Sequence, residues 1–241
     1  MSYENFAETY DILMNDVDYK SRTEYLLKLF KNHGKIPTLL LDLACGTGGF
    51  SNCFAKKGIE VIGVDMSEEM LAKAGENSAE MGTDVLFLCQ KAEELDLYGT
   101  VDGAICCMDS LNHITNIKNL TAAVNKVSLF LEKDCLFIFD VNTEYKHRNI
   151  LGDNTFVVEE DGVFCVWQNS YHADRLTTDI SLDFFIEQDG HYIRSSEDFS
   201  ERAYTESELS EILRKAGLST VAIYDDMTYN PPTDKSERVI Y

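Results

Sequence analysis

A chain of 241 residues with 44% apolar side chains can bury one α/β domain with an insertion, or one domain with a small cap. Asp plus Glu number 42 against 21 for Lys plus Arg, and the resulting formal charge of −21 repels phosphate backbones and argues against a nucleic-acid substrate. No stretch resembles a signal peptide or is apolar for long enough to span a bilayer, and the seven cysteines are scattered with no C-x-x-C pair, so a cytoplasmic protein with buried, reduced thiols is expected.

Residues 1–35 read as two helices. Phe6, Tyr10, Leu13 and Met14 follow helical spacing, as do Arg22, Tyr25, Leu26, Leu29 and Phe30, with Asn15-Asp16-Val17-Asp18 between them and Gly34 and Pro37 ending the second. An apolar run over residues 39–41 then leads through Asp42 into Gly46-Thr47-Gly48-Gly49, after which Phe50, Phe54 and Ala55 suggest a helix. A buried strand, a glycine-rich turn and a helix N-terminus make a binding device, because glycines let the backbone approach a ligand and free N–H groups point at it. A dinucleotide fold wants G-x-G-x-x-G, but the third position here is Ser51. Asp42, at the strand end, would repel a pyrophosphate and suits a cationic ligand group. Residues 60–64 form a second short apolar strand ending at Asp65, and Ser67 is a plausible N-cap with Glu68 and Glu69 in the first helical turn. An acid at that strand end can accept both ribose hydroxyls.

Strand and helix go on alternating, the mark of a parallel sheet. The third strand is expected over 85–89, the fourth over 101–108 and the fifth over 135–141, with Leu120, Ala123, Val124, Val127 and Leu131 marking a helix before the fifth. Residues 154–204 change character. Leu176, Thr178, Ile180, Leu182, Phe184 and Ile186 sit at period two, and Asp161-Gly162 and Asp189-Gly190 look like hairpin turns, so an antiparallel insertion of about four strands is expected. Thr205 and Glu208 form a capping-box pattern before Leu209, Ile212, Leu213 and Ala216. Two last strands are expected over 219–224 and 237–241, with Pro231-Pro232 between them.

The run D-L-A-C-G-T-G from Asp42 resembles the first motif of class I S-adenosylmethionine-dependent methyltransferases, and G-V-D-M-S-E-E-M-L from Gly63 resembles the same family. Y-T-E-S-E-L-S-E-I-L-R-K-A-G-L from Tyr204 is similar to that family's helix before its last two strands, and F-A-E-T-Y-D-I-L-M-N-D-V-D-Y from Phe6 resembles the N-terminal lid of its small-molecule members. Ala44 stands where the family usually has glycine, a mild change if its φ is negative. The resemblance implies a doubly wound, mostly parallel seven-stranded α/β sheet, with residues 1–150 and 204–241 binding S-adenosylmethionine and residues 151–203 forming an antiparallel cap. It implies cofactor contacts from Asp42, Ala44, Gly46, Gly48, Asp65, Met66, Ala92 and Met108, and from Tyr10 and Tyr19, which could equally pack against the sheet. Lys91 stands where an acid often meets the adenine amine, leaving the backbone of Ala92.

The implied reaction is in-line displacement at the sulfonium methyl, with a small-molecule nitrogen or oxygen acceptor to be aligned and desolvated. On the acceptor side Asp109, Arg202 and Tyr204 are the candidates. Each has a structural alternative: Asp109 orienting a turn, and the other two pinning the cap. His113 is read as capping or packing the next helix, and Glu201 as no less suited to solvent. Asp109, Asp140 and Asn142 lie where some catechol-type members hold magnesium, but the full pattern is absent and no metal is expected. Two other readings stay open. An NAD-dependent oxidoreductase explains Gly46, Gly48 and Asp65 but not Asp42, and binding of S-adenosylhomocysteine against NAD separates it. A catalytically silent regulatory protein would bind the cofactor and transfer nothing.

Overall fold

The parallel alternation closes into one sheet in the computed structural model, which describes residues 17–160, 162–188 and 190–241. The expected first helix, with Tyr10, lies outside the described residues. Helix α1 (Tyr19–His33) begins where Asp18 accepts the Ser21 N–H, and it buries Tyr25, Leu26, Leu29 and Phe30. Next come β1 (Leu39–Leu43), α2 (Gly49–Ala55), β2 (Glu60–Asp65) and α3 (Glu68–Met81), the last capped by Ser67. Beyond α3 lie β3 (Leu86–Cys89), β4 (Gly103–Cys106), α4 (Ile117–Phe130) and β5 (Phe137–Asn142). After the cap, α5 (Glu206–Lys215) leads to β10 (Tyr224–Asp225) and β11 (Arg238–Ile240). The seven strands order as β10-β11-β5-β4-β1-β2-β3, and only β11 runs antiparallel to its neighbours.

Period-two alternation sends successive residues of β1 to opposite faces. Leu40 joins Tyr25, Leu29, Phe30, Phe50 and Phe54 on one face. Leu41 and Leu43 join Leu120, Val124, Val127, Leu209 and Leu213 on the other. Both faces are thus covered, as a parallel sheet requires. Among the described residues no helix is long and apolar enough to cross a membrane. All seven cysteines are free. Cys106, Cys107 and Cys165 are buried as expected, whereas Cys89 is exposed because β3 is the edge of the sheet.

The edge strands are shorter than their apolar runs suggest. Residues 219–223 make no ladder, and only Tyr224 and Asp225 pair with β11. Strand β4 stops at Cys106 because Asp140 accepts the N–H groups of Met108 at 2.8 Å and Asp109 at 2.7 Å, turning both residues into the left-handed region.

The insertion is a separate four-stranded antiparallel sheet of β6 (Thr155–Glu160), β7 (Val163–His172), β8 (Thr177–Gln188) and β9 (His191–Arg202), in chain order. Its own core is Val163, Cys165, Ile180, Leu182 and Phe184. Gly162 and Gly190 have φ of +78° and +76° where β6 meets β7 and β8 meets β9, the backbone that tight hairpins demand. The capping box at α5 is formed in full: Glu208 N–H donates to Thr205 Oγ1 at 3.2 Å, and Thr205 N–H donates to Glu208 Oε2 at 3.0 Å.

Candidate active site

Parallel pairing of β1 with β2 brings Leu43 beside Val64, so the loops after both strands open on one edge. That edge is the carboxyl one, where open α/β sheets bind ligands. Asp65 ties the two loops together: its Oδ2 accepts the Gly46 N–H and its Oδ1 the Ser67 N–H, each at 2.9 Å. Between them the chain takes φ of +57° at Ala44, +53° at Gly46 and +79° at Gly48. The condition that made alanine at 44 a mild change, a negative φ, is therefore not met. The Gly46 bond to Asp65 and the Cys45 N–H bond to Val64 O wind the turn left-handed, and Ala44 carries that strain. A Cβ on Gly46 would meet no protein atom within 4 Å, so the loop presents bare backbone to an open cradle. Met66 stands beside it, 68% exposed.

Asp42 is not in that cradle but beneath it, 2% exposed, accepting the Ser51 hydroxyl at 2.6 Å. Burial, with the nearby charge of Asp65, pushes its carboxyl up to about 7. Ser51, which breaks the dinucleotide pattern, is thus the partner of the acid that replaces it. Tyr19 meets Phe50 edge-on at 5.1 Å, and a Cβ on Gly49 would come within 2.6 Å of its ring, so it packs over the start of α2. Ala92 opens a single 3₁₀ turn just after β3. Met108 lies farther along the same edge, its sulfur 3.9 Å from Arg238 Nη1.

Beyond β4 the edge becomes ionic. Arg238, from β11, pairs with Asp109 Oδ1 and Asp140 Oδ1, each at 2.6 Å. Asn142 Nδ2 donates to Asp109 Oδ2 at 2.7 Å, and Lys146 Nζ donates to Asn142 Oδ1 at 3.0 Å. Burial alone would raise Asp109, but Arg238, Lys146 and His113 override it and hold the carboxyl at about 2. Asp109 is therefore a poor proton acceptor and serves as a salt-bridged anchor. Of the magnesium trio weighed from the sequence, Asp109 and Asp140 each give one oxygen to Arg238 and Asn142 gives its amide oxygen to Lys146. Arg238 was missed, although a lone arginine in the apolar run R-V-I was a signal for it.

Two further candidates have partners inside the protein. Arg202 Nη2 pairs with Glu208 at 2.6 Å and its guanidinium lies 4.8 Å over the Tyr204 ring. Tyr204 is buried, donates its hydroxyl to the Ile114 carbonyl, and is pushed up to about 12 by burial. Both pin the cap to the core. Asn112, which the sequence did not single out, does the same by donating to the carbonyls of Arg202 at 2.8 Å and Asn142 at 3.1 Å. Glu201, read as suited to solvent, is 4% exposed, and burial, then the Asp109 charge, pushes it up to about 8. Its Oε1 lies 3.6 Å from Nε2 of His113, a half-exposed residue whose ring packs against Phe199 of the cap at 5.1 Å.

A family described as a methyltransferase domain matches residues 40–134. YqeM of Bacillus subtilis (strain 168), a methyltransferase by provisional name, is 31% identical over 100% of this chain and 96% of its own length. The crystal structure of an S-adenosylmethionine-dependent methyltransferase from Clostridium acetobutylicum ATCC 824 superposes with a TM-score of 0.90 at 31% identity, over 99% of this chain and 97% of that one. The chain belongs to the class I S-adenosylmethionine-dependent methyltransferases. It is an enzyme of that type and S-adenosylmethionine is its cofactor, which sets aside the NAD-dependent and silent readings. The sugar N-methyltransferase KedS8 from Streptoalloteichus sp ATCC 53650 shares the methyltransferase's fold at a TM-score of 0.75 and 16% identity, over 100% of this chain and 92% of that one.

The bare cradle at Gly46 and the acid at Asp65 fit a nucleoside with a charged tail. Valine at Gly46 would carry a β-branched side chain at φ +53° straight into that open space. Gly46→Val is expected to abolish S-adenosylhomocysteine binding, read by calorimetry, while costing about 1–3 kcal/mol of stability from backbone strain. Retained binding would show that the loop only turns the chain. Tyr204→Phe, which removes the hydroxyl bond to Ile114 O, is expected to lower stability by about 1 kcal/mol and leave S-adenosylhomocysteine affinity unchanged. A selective loss of that affinity would place Tyr204 on the donor instead.

Proposed function

We propose that this methyltransferase moves the methyl group of S-adenosylmethionine to a small-molecule nitrogen or oxygen acceptor held between the carboxyl edge of β4 and β5 and the cap. One observation carries this reading: β9 returns Glu201 from the cap to a place 3.6 Å from His113 of the core, so both units build one wall beside the donor edge. The sulfonium supplies an electrophilic methyl group. The protein's part is to hold the acceptor in line, exclude water and take up its proton. With Asp109 held at about 2 and Tyr204 at about 12, Glu201, pushed up to about 8 by burial, is the wall's acid nearest neutrality, and burial lowers the His113 imidazole beside it.

In the same reading Asp65 receives the ribose hydroxyls, the backbone from Ala44 to Gly48 backs the methionine end, and Met66 and the N–H of Ala92 meet the adenine. Met108 flanks the sulfonium, and Tyr19 closes over the site. Residues 1–150 and 204–241 act as the donor-binding core and 151–203 as the cap that selects the acceptor. The fold likeness to a sugar N-methyltransferase supports a small-molecule acceptor, the net charge of −21 argues against nucleic acid, and seven free thiols support a cytoplasmic setting.

The test is a screen of small amines, hydroxy acids and phenols with a methyl-labelled donor. Label in one soluble class, competed by S-adenosylhomocysteine, is the expected result. Label found only in protein or nucleic acid would overturn it.

A further inference from the structure

We propose that Asp109, His113 and Glu201 form a binding site for one divalent transition-metal ion of the zinc or cobalt type, with His147 holding Glu201 from behind. The ligand atoms of the three residues all lie within 4.8 Å of one another. His113 Nε2 and Glu201 Oε1 are 3.6 Å apart, longer than a hydrogen bond of about 2.7–3.2 Å. Metal–nitrogen and metal–oxygen bonds of about 2.0–2.2 Å in a tetrahedral site set neighbouring donors about 3.3–3.5 Å apart, close to that spacing.

A second observation points the same way. His147 is fully buried, its Nδ1 lies 2.8 Å from Thr178 Oγ1, and its Nε2 has no hydrogen-bond partner. That nitrogen aims at the other oxygen of Glu201 from 3.8 Å. A hydrogen bond closed across this gap would orient the carboxylate as a ligand. The half-exposed His113 gives an ion a way in from solvent.

The donor set distinguishes this site from the strand-end oxygens of Asp140 and Asn142, which Arg238 and Lys146 occupy. Imidazole with carboxylate suits zinc, cobalt and nickel, whereas magnesium prefers oxygen alone. The site's existence does not depend on which acceptor the enzyme uses.

Titration of untagged, thiol-reduced protein with Co²⁺ tests it by absorbance. The expected result is one Co²⁺ per chain, with visible ligand-field bands and no thiolate-to-cobalt charge-transfer band. His113→Ala, at a half-exposed position, should weaken binding at least tenfold while unfolding as cooperatively as the parent. His147→Gln should weaken it about 10–100-fold, the usual effect of removing a group that braces a ligand. His172→Ala, which removes the separate surface pair with Asp179, should change nothing. No spectral change, a thiolate band, or undiminished binding by His113→Ala would each overturn the site, and undiminished binding by His147→Gln would remove His147 from it.

Discussion

Arg238→Met is expected to cost about 3–5 kcal/mol of folding stability at neutral pH, the usual result of stripping a buried ion pair of one partner. Arg238 is the shared counterion of Asp109 and Asp140, and all three side chains are largely buried. Methionine fills much of the same volume but leaves two carboxylates facing each other in a desolvated site. The pH dependence separates charge from packing. Asp109 is held at about 2 against an ordinary 3.8, so its pairing stabilises the parent fully above 3.8 and is lost as pH falls toward 2. In the variant both acids rise instead, so their ionised forms are penalised at neutral pH and relieved by protonation. The gap between parent and variant in urea unfolding should therefore be widest near neutrality and narrow on acidification. A gap that does not change with pH would mean that Arg238 acts through its packing alone.

Asp65→Ala should weaken binding of S-adenosylmethionine by roughly tenfold to more than a hundredfold, or about 1.5–3 kcal/mol, the range for hydrogen bonds to a charged group. Asp65 has two duties that this change removes together: the carboxylate faces the cradle, and it clamps the N–H groups of Gly46 and Ser67. Asp65→Asn divides them, because one amide oxygen still accepts a backbone N–H while the amide nitrogen opposes the other. Calorimetry on both variants, with unfolding curves to confirm the fold, gives the measurement. Unchanged affinity in folded Asp65→Ala would remove this residue from the cofactor's partners.

The carboxyl edge of β1 and β2 was legible because its signals are local. Gly46, Gly48 and Asp65 fall in one strand–turn–helix–strand stretch, and their spacing brings them to a shared edge, with Asp42 buried beneath it. The capping box at Thr205 and the period-two run through Phe184 were equally plain. The acceptor half was not legible, for a physical reason. Alternation tells which face of a strand a residue takes, not which distant residue it meets, and Arg238 reaches Asp140 across 98 positions. Glu201 lies in the polar run S-E-D-F-S-E-R, where nothing in the pattern separates a buried acid from its exposed neighbours. The positive φ of Ala44 and the early end of β4 come with a few bonds to backbone N–H groups, those of Asp65 and Asp140 among them, which propensity does not register.

The position of β11 sets an order in time as well as in space. Strands β1 to β3 and the two connections between them lie within residues 39–89, so the edge at Gly46 and Asp65 can form on the nascent chain once those residues have emerged. The ionic edge has to wait until Arg238 leaves the ribosome and β11 slots between β5 and β10. Until then Asp109 and Asp140 sit side by side without their counterion. The growing chain therefore forms the edge at Gly46 and Asp65 before the ionic edge is neutralised, and synthesis halted short of residue 238 would leave Asp109 and Asp140 without Arg238.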